Sequence, residues 1–152
     1  MRQSYSSHSV GQTEQIAAEL AATLRGGECI ALEGDLGAGK TQFVRGLVRG
    51  LGGNPHQVSS PTFVLLNVYD DTRVKVFHLD AYRIRSAEDF EAIGFAELLE
   101  QGGVVVVEWA EKVRELLPAR QRIDVRITIT GPRSRRIEID RSRAMDPGET
   151  AA

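Results

Sequence analysis

Gly34-Asp35-Leu36-Gly37-Ala38-Gly39-Lys40-Thr41 decides the reading of this chain. It is a full match to G-x-x-x-x-G-K-[ST], a phosphate-binding loop. The glycines permit positive φ and close backbone approach, so successive N–H groups can turn inward around anionic oxygens. Lys40 adds a mobile charge for β- and γ-phosphates, and the Thr41 hydroxyl can ligate Mg²⁺. Asp35, Leu36, Gly37, Ala38, Gly39, Lys40, Thr41 and Gln42 are the nucleotide-binding residues this loop predicts.

The flanks are in the order the loop needs. Cys29-Ile30-Ala31-Leu32 is a short apolar run suited to a buried parallel strand. Beyond the loop, Phe43, Val44, Leu47, Val48 and Leu51 fall at helical spacing, and Gly52-Gly53 stops the helix. Strand, loop and helix in sequence would hold phosphates at the positive end of the helix.

Composition narrows the class. At 152 residues, 41% hydrophobic and 26% charged, the chain reads as one globular domain over 1–140 with a disordered tail over 141–152. A single cysteine excludes an internal disulfide framework, and Cys29 reads as a small buried hydrophobe. No run approaches the roughly 20 apolar residues of a membrane span, so a cytoplasmic location is expected. A formal charge of −2 argues against bulk electrostatic grip on nucleic acid.

Upstream, a short strand is expected near Tyr5–His8. Ser9-Val10-Gly11-Gln12 has the form of a capping box, followed by an apolar helical face of Ile16, Ala17, Leu20, Ala21 and Leu24. Thr13, in the first turn of that helix, is either a solvated or capping threonine or a nucleotide contact. Downstream, Val64–Tyr69 and Val74–Leu79 flank the polar turn Asp70–Arg73 and predict an antiparallel hairpin. Thr62, in Ser60-Pro61-Thr62-Phe63, either opens a strand or serves as a switch that senses the γ-phosphate.

Two acids stand at strand ends. Asp80 closes the second hairpin strand, where ligands of α/β folds collect. His78 lacks a partner at metal-ligand spacing and reads as packed or exposed. Arg83 pairs with a local carboxylate or reaches a phosphate or a partner. Phe90, Ile93, Leu98 and Leu99 form a helical stripe that Gly94 splits into two short helices. Val104-Val105-Val106-Val107 is the strongest buried-strand signal, and Glu108 follows it in the manner of a Walker B acid facing the metal. Trp109 reads as packing under a helix over Ala110–Leu117 that Pro118 ends.

Ile123, Val125, Ile127 and Ile129 alternate with polar residues as a half-buried strand, and Arg136–Asp140 returns as the last strand. Arg133, Arg135 and Arg136 cluster at the turn between them, as a solvated turn or as the border of an adenine pocket. The fold expected from all this is α/β, a phosphate-loop three-layer sandwich with a mixed, mainly parallel central sheet and an antiparallel hairpin.

Four motifs together carry a family resemblance: Gly34–Thr41, Ser60–Phe63, His78-Leu79-Asp80-Ala81-Tyr82-Arg83, and Glu108-Trp109-Ala110-Glu111. In order and separation, from about Gly11 to Asp140, they resemble the bacterial TsaE (YjeE) family. That resemblance implies a slow, partner-dependent ATPase in threonylcarbamoyladenosine modification of tRNA, with ATP and Mg²⁺ as cofactors. It implies Lys40 on phosphates, Thr41 and Glu108 on Mg²⁺, Asp80 as a functional acid, and importance for Thr62 and Trp109. Its implied partners are a TsaD-type transferase and a TsaB-type protein, with tRNA reached through the complex. Ala81 departs from the larger apolar residue common in the third motif.

A small-molecule kinase would use the same phosphate loop. Such kinases close an arginine-bearing lid over the transferred group, and residues 84–102 carry only Arg85. A GTP switch is a third reading, and no Asn-Lys-x-Asp guanine motif occurs in the chain.

Overall fold

Every residue of three short segments is buried: Cys29–Gly34 (β2), Val76–Asp80 (β4) and Val104–Glu108 (β5). Runs with no alternation must be covered on both faces, which is what parallel strands with helical crossovers provide. The computed structural model describes residues 2–61 and 65–143. With β1 (Arg2–Ser7), β3 (Leu66–Tyr69), β6 (Arg122–Ile129) and β7 (Arg135–Arg143), these strands form one seven-stranded sheet of order β1-β7-β6-β2-β5-β4-β3.

Helices α1 (Val10–Ala21) and α2 (Lys40–Gly50) share one apolar cluster with Ile30, Leu32, Val76, Val104 and Val106. The short helices α3 (Ala87–Ala92) and α4 (Phe95–Glu100) supply Phe90, Phe95 and Leu98 to a second cluster with Cys29, Ala31, Phe77, Leu79, Val105 and Val107. Side chains alternate along a strand, so Asp80 lies on the face of Val76 and Glu108 on the face of Val106. Both acids therefore stand on the α1–α2 face. Cys29 is wholly buried, and that burial pushes its thiol up to about 12.

Most expected elements form where the sequence puts them. Ser9 caps α1 by accepting from the Gln12 N–H at 3.0 Å, while the Gln12 side chain reaches back to the His8 N–H. Gly94, at φ 88°, separates α3 from α4. The hairpin forms, with Leu66 to Tyr69 antiparallel to Leu79 to Val76. Thr62, Phe63 and Val64 lie outside the described residues.

Five expectations change. The first strand is Arg2–Ser7, because pairing with Asp140 to Arg135 begins at Arg2. The sheet is half parallel: β6-β2-β5-β4 pair in parallel, whereas β3, β7 and β1 add antiparallel edges. The last strand runs from Arg135 to Arg143, so a tail from 141 starts too early; its ladder with β6 extends to an Arg122–Arg143 pairing. Residues 144–152 lie outside the described residues. Ala110–Leu117 is two 3-10 turns, Ala110–Lys112 and Arg114–Leu116, rather than one helix. Val113 leaves helical geometry at φ −129° and ψ 17°; Ala110 and Val113, at i and i+3, still share a buried side, and Leu117 buries beyond the second turn. The fifth change concerns Trp109 and belongs to the site.

The helix that carries the loop is held by close backbone contact. A Cβ at Gly46 of α2 would fall 2.2 Å from the Glu14 carbonyl oxygen, and one at Gly50 would fall 2.8 Å from Ala18 Cα. Helix propensity alone favours alanine over glycine by about 1 kcal/mol. The clash is with backbone and cannot be relieved by a rotamer, so overpacking decides the sign. Gly46→Ala should destabilise the fold by about 1–3 kcal/mol in urea titration. Unchanged or raised stability would show that α1 and α2 are not packed this closely.

Candidate functional site

The loop leaves β2 at Gly34, where a Cβ would sit 2.9 Å from the Ile127 carbonyl oxygen. Gly37 and Gly39 have φ of 82° and 107°, a region L side chains rarely occupy, and Gly39 caps α2 with backbone alone. The Asp35 and Leu36 side chains are exposed, so only their main chain is available to line the loop. Lys40 folds back over it. Its Nζ donates to the carbonyls of Gly34 and Asp35, the latter at 3.1 Å, and lies 3.9 Å from the centroid of the Trp109 ring. Burial lowers the Lys40 pKa, and the carboxylates of Glu108, Glu111, Asp80 and Asp35 act against that shift. The ammonium is thus held in an acidic, partly dry setting.

Asp80 and Glu108 are direct partners in the parallel β4–β5 register. Asp80 Oδ1 accepts from the Tyr82 N–H at 2.8 Å, and Oδ2 accepts from Ser60 Oγ at 3.4 Å. Glu108 Oε2 meets Nε2 of His78 at 2.5 Å. The other ring nitrogen of His78 lies 3.0 Å from the Tyr69 hydroxyl, which reaches the Ser59 carbonyl at 3.5 Å. His78 is fully buried and forms the support of Glu108, a role sequence reasoning missed. The available signal was parity: His78 sits two residues before Asp80 on a buried strand, hence on the same face as both acids.

Trp109 departs from the expected packing under a helix. It takes φ 59°, which turns its ring against Tyr82 at 4.9 Å and beneath Lys40, while part of it still contacts the second apolar cluster. Thr13 is buried, with its hydroxyl 2.8 Å from Ser7 Oγ. It lines a cavity of about 420 Å³ with His8, Ser9, Gly37, Ala38, Gly39, Gln42, Pro132, Arg133 and Arg135. The cavity adjoins the loop and has the size and the mainly apolar lining, with a few polar groups, of a small-molecule site. Arg83 borders a different groove, with Leu65, Leu66, Asp89 and Ile93. Thr62 is outside the described residues, although its neighbours Ser59 and Ser60 touch the supports of both acids.

Comparison with known proteins agrees with these motifs. The family model "Threonylcarbamoyl adenosine biosynthesis protein TsaE" matches residues 7–137. The Bacillus subtilis (strain 168) "tRNA threonylcarbamoyladenosine biosynthesis protein TsaE" is 39% identical over 126 residues, which is 83% of this chain and 77% of that protein. The Rickettsia felis protein of the same name is 38% identical over 70% of this chain, but the match spans only 61% of its own length. The crystal structure of Bacillus subtilis YdiB superposes with a TM-score of 0.75 at 32% identity, covering 91% of this chain and 84% of that one.

The buried His78–Glu108 contact has a measurable cost when broken. Removing His78 strands the buried carboxylate of Glu108, at more than the about 1–3 kcal/mol of a neutral group, whereas removing the Tyr69 hydroxyl strands a ring nitrogen of His78, at about 1–3 kcal/mol. His78→Leu should therefore destabilise more than Tyr69→Phe in paired urea titrations. Wild-type stability of His78→Leu would mean that Glu108 does not depend on His78.

Proposed function

The chain belongs to the TsaE family, and on that premise we propose that it is a Mg²⁺-dependent ATPase serving threonylcarbamoyladenosine modification of tRNA. The observation that carries this reading is the convergence of Lys40, Asp80 and Glu108 at the carboxyl ends of β2, β4 and β5, beside a loop of phosphate-binding pattern. That arrangement is the site expected of a phosphate-loop NTPase fold.

The donor set suits the proposed metal. Mg²⁺ takes hard oxygen ligands, commonly one or two carboxylates plus substrate phosphates and water. Thr41 and Glu108 supply a hydroxyl and a carboxylate, and Asp80 stands beside Glu108 in register. When bound, the ion would neutralise charge on the β- and γ-phosphates. The chain's own residues do the rest. Main-chain N–H groups of the loop bind the phosphates, and Lys40 moves from the loop carbonyls and Trp109 to the γ-phosphate. Asp80 orients the attacking water, and His78 fixes the carboxylate of Glu108. The cavity beside Thr13 and Pro132 receives adenine.

Among the described residues this reading sets Lys40 alone on the transferred group, and a missing arginine finger costs about 10³–10⁵ in rate. Turnover by the isolated protein is therefore slow. A TsaD-type transferase with its TsaB-type partner supplies the activating contacts and couples hydrolysis to the modification cycle.

MgATP at a hundredfold over its Kd should stabilise the wild type by about 2.7 kcal/mol. Lys40→Ala should lose most of that gain while melting like wild type without ligand. Phosphate release should be slow alone and change on adding the purified partners. Fast turnover with one small hydroxyl acceptor, indifferent to the partners, would make the protein a kinase.

A further inference from the structure

Arg135 begins β7, at the turn that follows β6. Its guanidinium makes four hydrogen bonds, all to main-chain carbonyls. Nη1 donates to Gly131 and Ser134 at 3.1 and 2.9 Å, which closes the turn from within. Nε donates to Ala38 at 3.0 Å and Nη2 to Gly37 at 3.1 Å, both in the phosphate loop. One planar group therefore straps the turn onto the loop, although the two lie 97 residues apart for the Ala38 bond.

The consequence follows from peptide geometry. In a trans peptide the C=O and the next N–H point in opposite directions. Holding the Ala38 carbonyl outward fixes the Gly39 N–H toward the inside of the loop. Holding the Gly37 carbonyl likewise fixes the Ala38 N–H, which here donates to the Asp35 main-chain carbonyl at 2.9 Å and closes the turn of the loop. These planes flank Gly37 and Gly39, the residues with the least steric restraint on rotation. The same guanidinium sets how far Pro132 and Arg133 stand from the loop across the cavity.

We propose that Arg135 is the positioning residue of the phosphate loop: it pre-orders the loop amides for an anion and fixes the width of the adjoining base cavity. The role rests on the nucleotide reading of that site. It is a matter of forked donors rather than charge, because a lysine ammonium has no planar fork to span both carbonyls.

The test is calorimetric binding of MgATP to wild type, Arg135→Lys, Arg135→Ala and Lys40→Ala, with ligand-free melting measured alongside. Losing two charged hydrogen bonds to the loop should weaken binding about ten- to a hundredfold. Arg135→Lys and Arg135→Ala should lose alike, while ligand-free melting moves far less than the ligand-induced shift. Retention of affinity by Arg135→Lys would show a charge effect and overturn the proposal. So would wild-type affinity in both variants. If wild type itself fails to bind MgATP, the nucleotide reading falls; if wild type binds and Lys40→Ala does not, the Arg135 result stands by itself. A readout on the unmutated protein guards against misfolded variants: the Arg135 Nε–H should exchange with solvent far more slowly than that of exposed Arg133. Equal exchange would overturn the strap.

Discussion

The parallel pairing of β2 with β5, and of β5 with β4, is the constraint on which the rest of the molecule depends. Leu32 lies opposite Glu108, and Glu108 opposite Asp80, so the phosphate-loop strand and the two acid-bearing strands end at one level. A slip of one residue in either pairing would send an acid to the opposite face, because side chains alternate. Runs that are apolar on both faces do not by themselves prevent that slip; the buried His78–Glu108 contact between β4 and β5 favours this register. Val104, Val106, Val76, Ile30 and Leu32 bury under α1 and α2, while Val105, Val107, Phe77, Leu79 and Ala31 bury on the other side.

Around that frame the charged groups are arranged by backbone and neighbouring side chains together. Lys40 is buried, contacts loop carbonyls and lies over Trp109, a ring held there by a left-handed backbone. Asp80 is tied to Tyr82 and Ser60, Glu108 to His78, and His78 through Tyr69 to Ser59. Arg45 of α2 adds donors to the Val58 carbonyl at 3.3 Å. The segment Val58–Ser60 therefore connects with α2 and with the supports of both acids. On the opposite side of the sheet, Arg114 bridges Glu33, the residue before the loop, to Asp124 of β6. That bridge anchors the turns after Trp109 to the strand that launches the loop.

Much of this was legible in the sequence, and what was not has a physical reason. The loop, the valine strand, the hairpin and the two short helices announce themselves through local pattern: fixed glycines, unbroken β-branched residues, a polar turn, a glycine between apolar stripes. The 110–117 segment differs from one helix because Val113 breaks it into two 3-10 turns, although Ala110, Val113 and Leu117 keep the 3-then-4 spacing of a helical face. No local pattern marks the role of His78, because its partner is thirty residues away on a neighbouring strand and only sheet register brings them together. Arg135 was one of three arginines in a turn. Its partners are main-chain carbonyls, which every residue carries and no sequence pattern marks. Family membership agrees with the motifs quoted, while the roles proposed for Asp80 and Glu108 are argued from their place at the strand ends.

The central claim is that a nucleotide-bound divalent ion sits between the phosphate loop and the ends of β4 and β5. Paramagnetic broadening of backbone amides by Mn²⁺ added with ATP tests it most directly. The account predicts the strongest broadening at Gly39 to Thr41, Asp80 to Ala81 and Glu108 to Trp109, with little at Arg122 to Asp124 on the far face of β6. Broadening centred on the charged face of β6, or none at the strand ends, would contradict it.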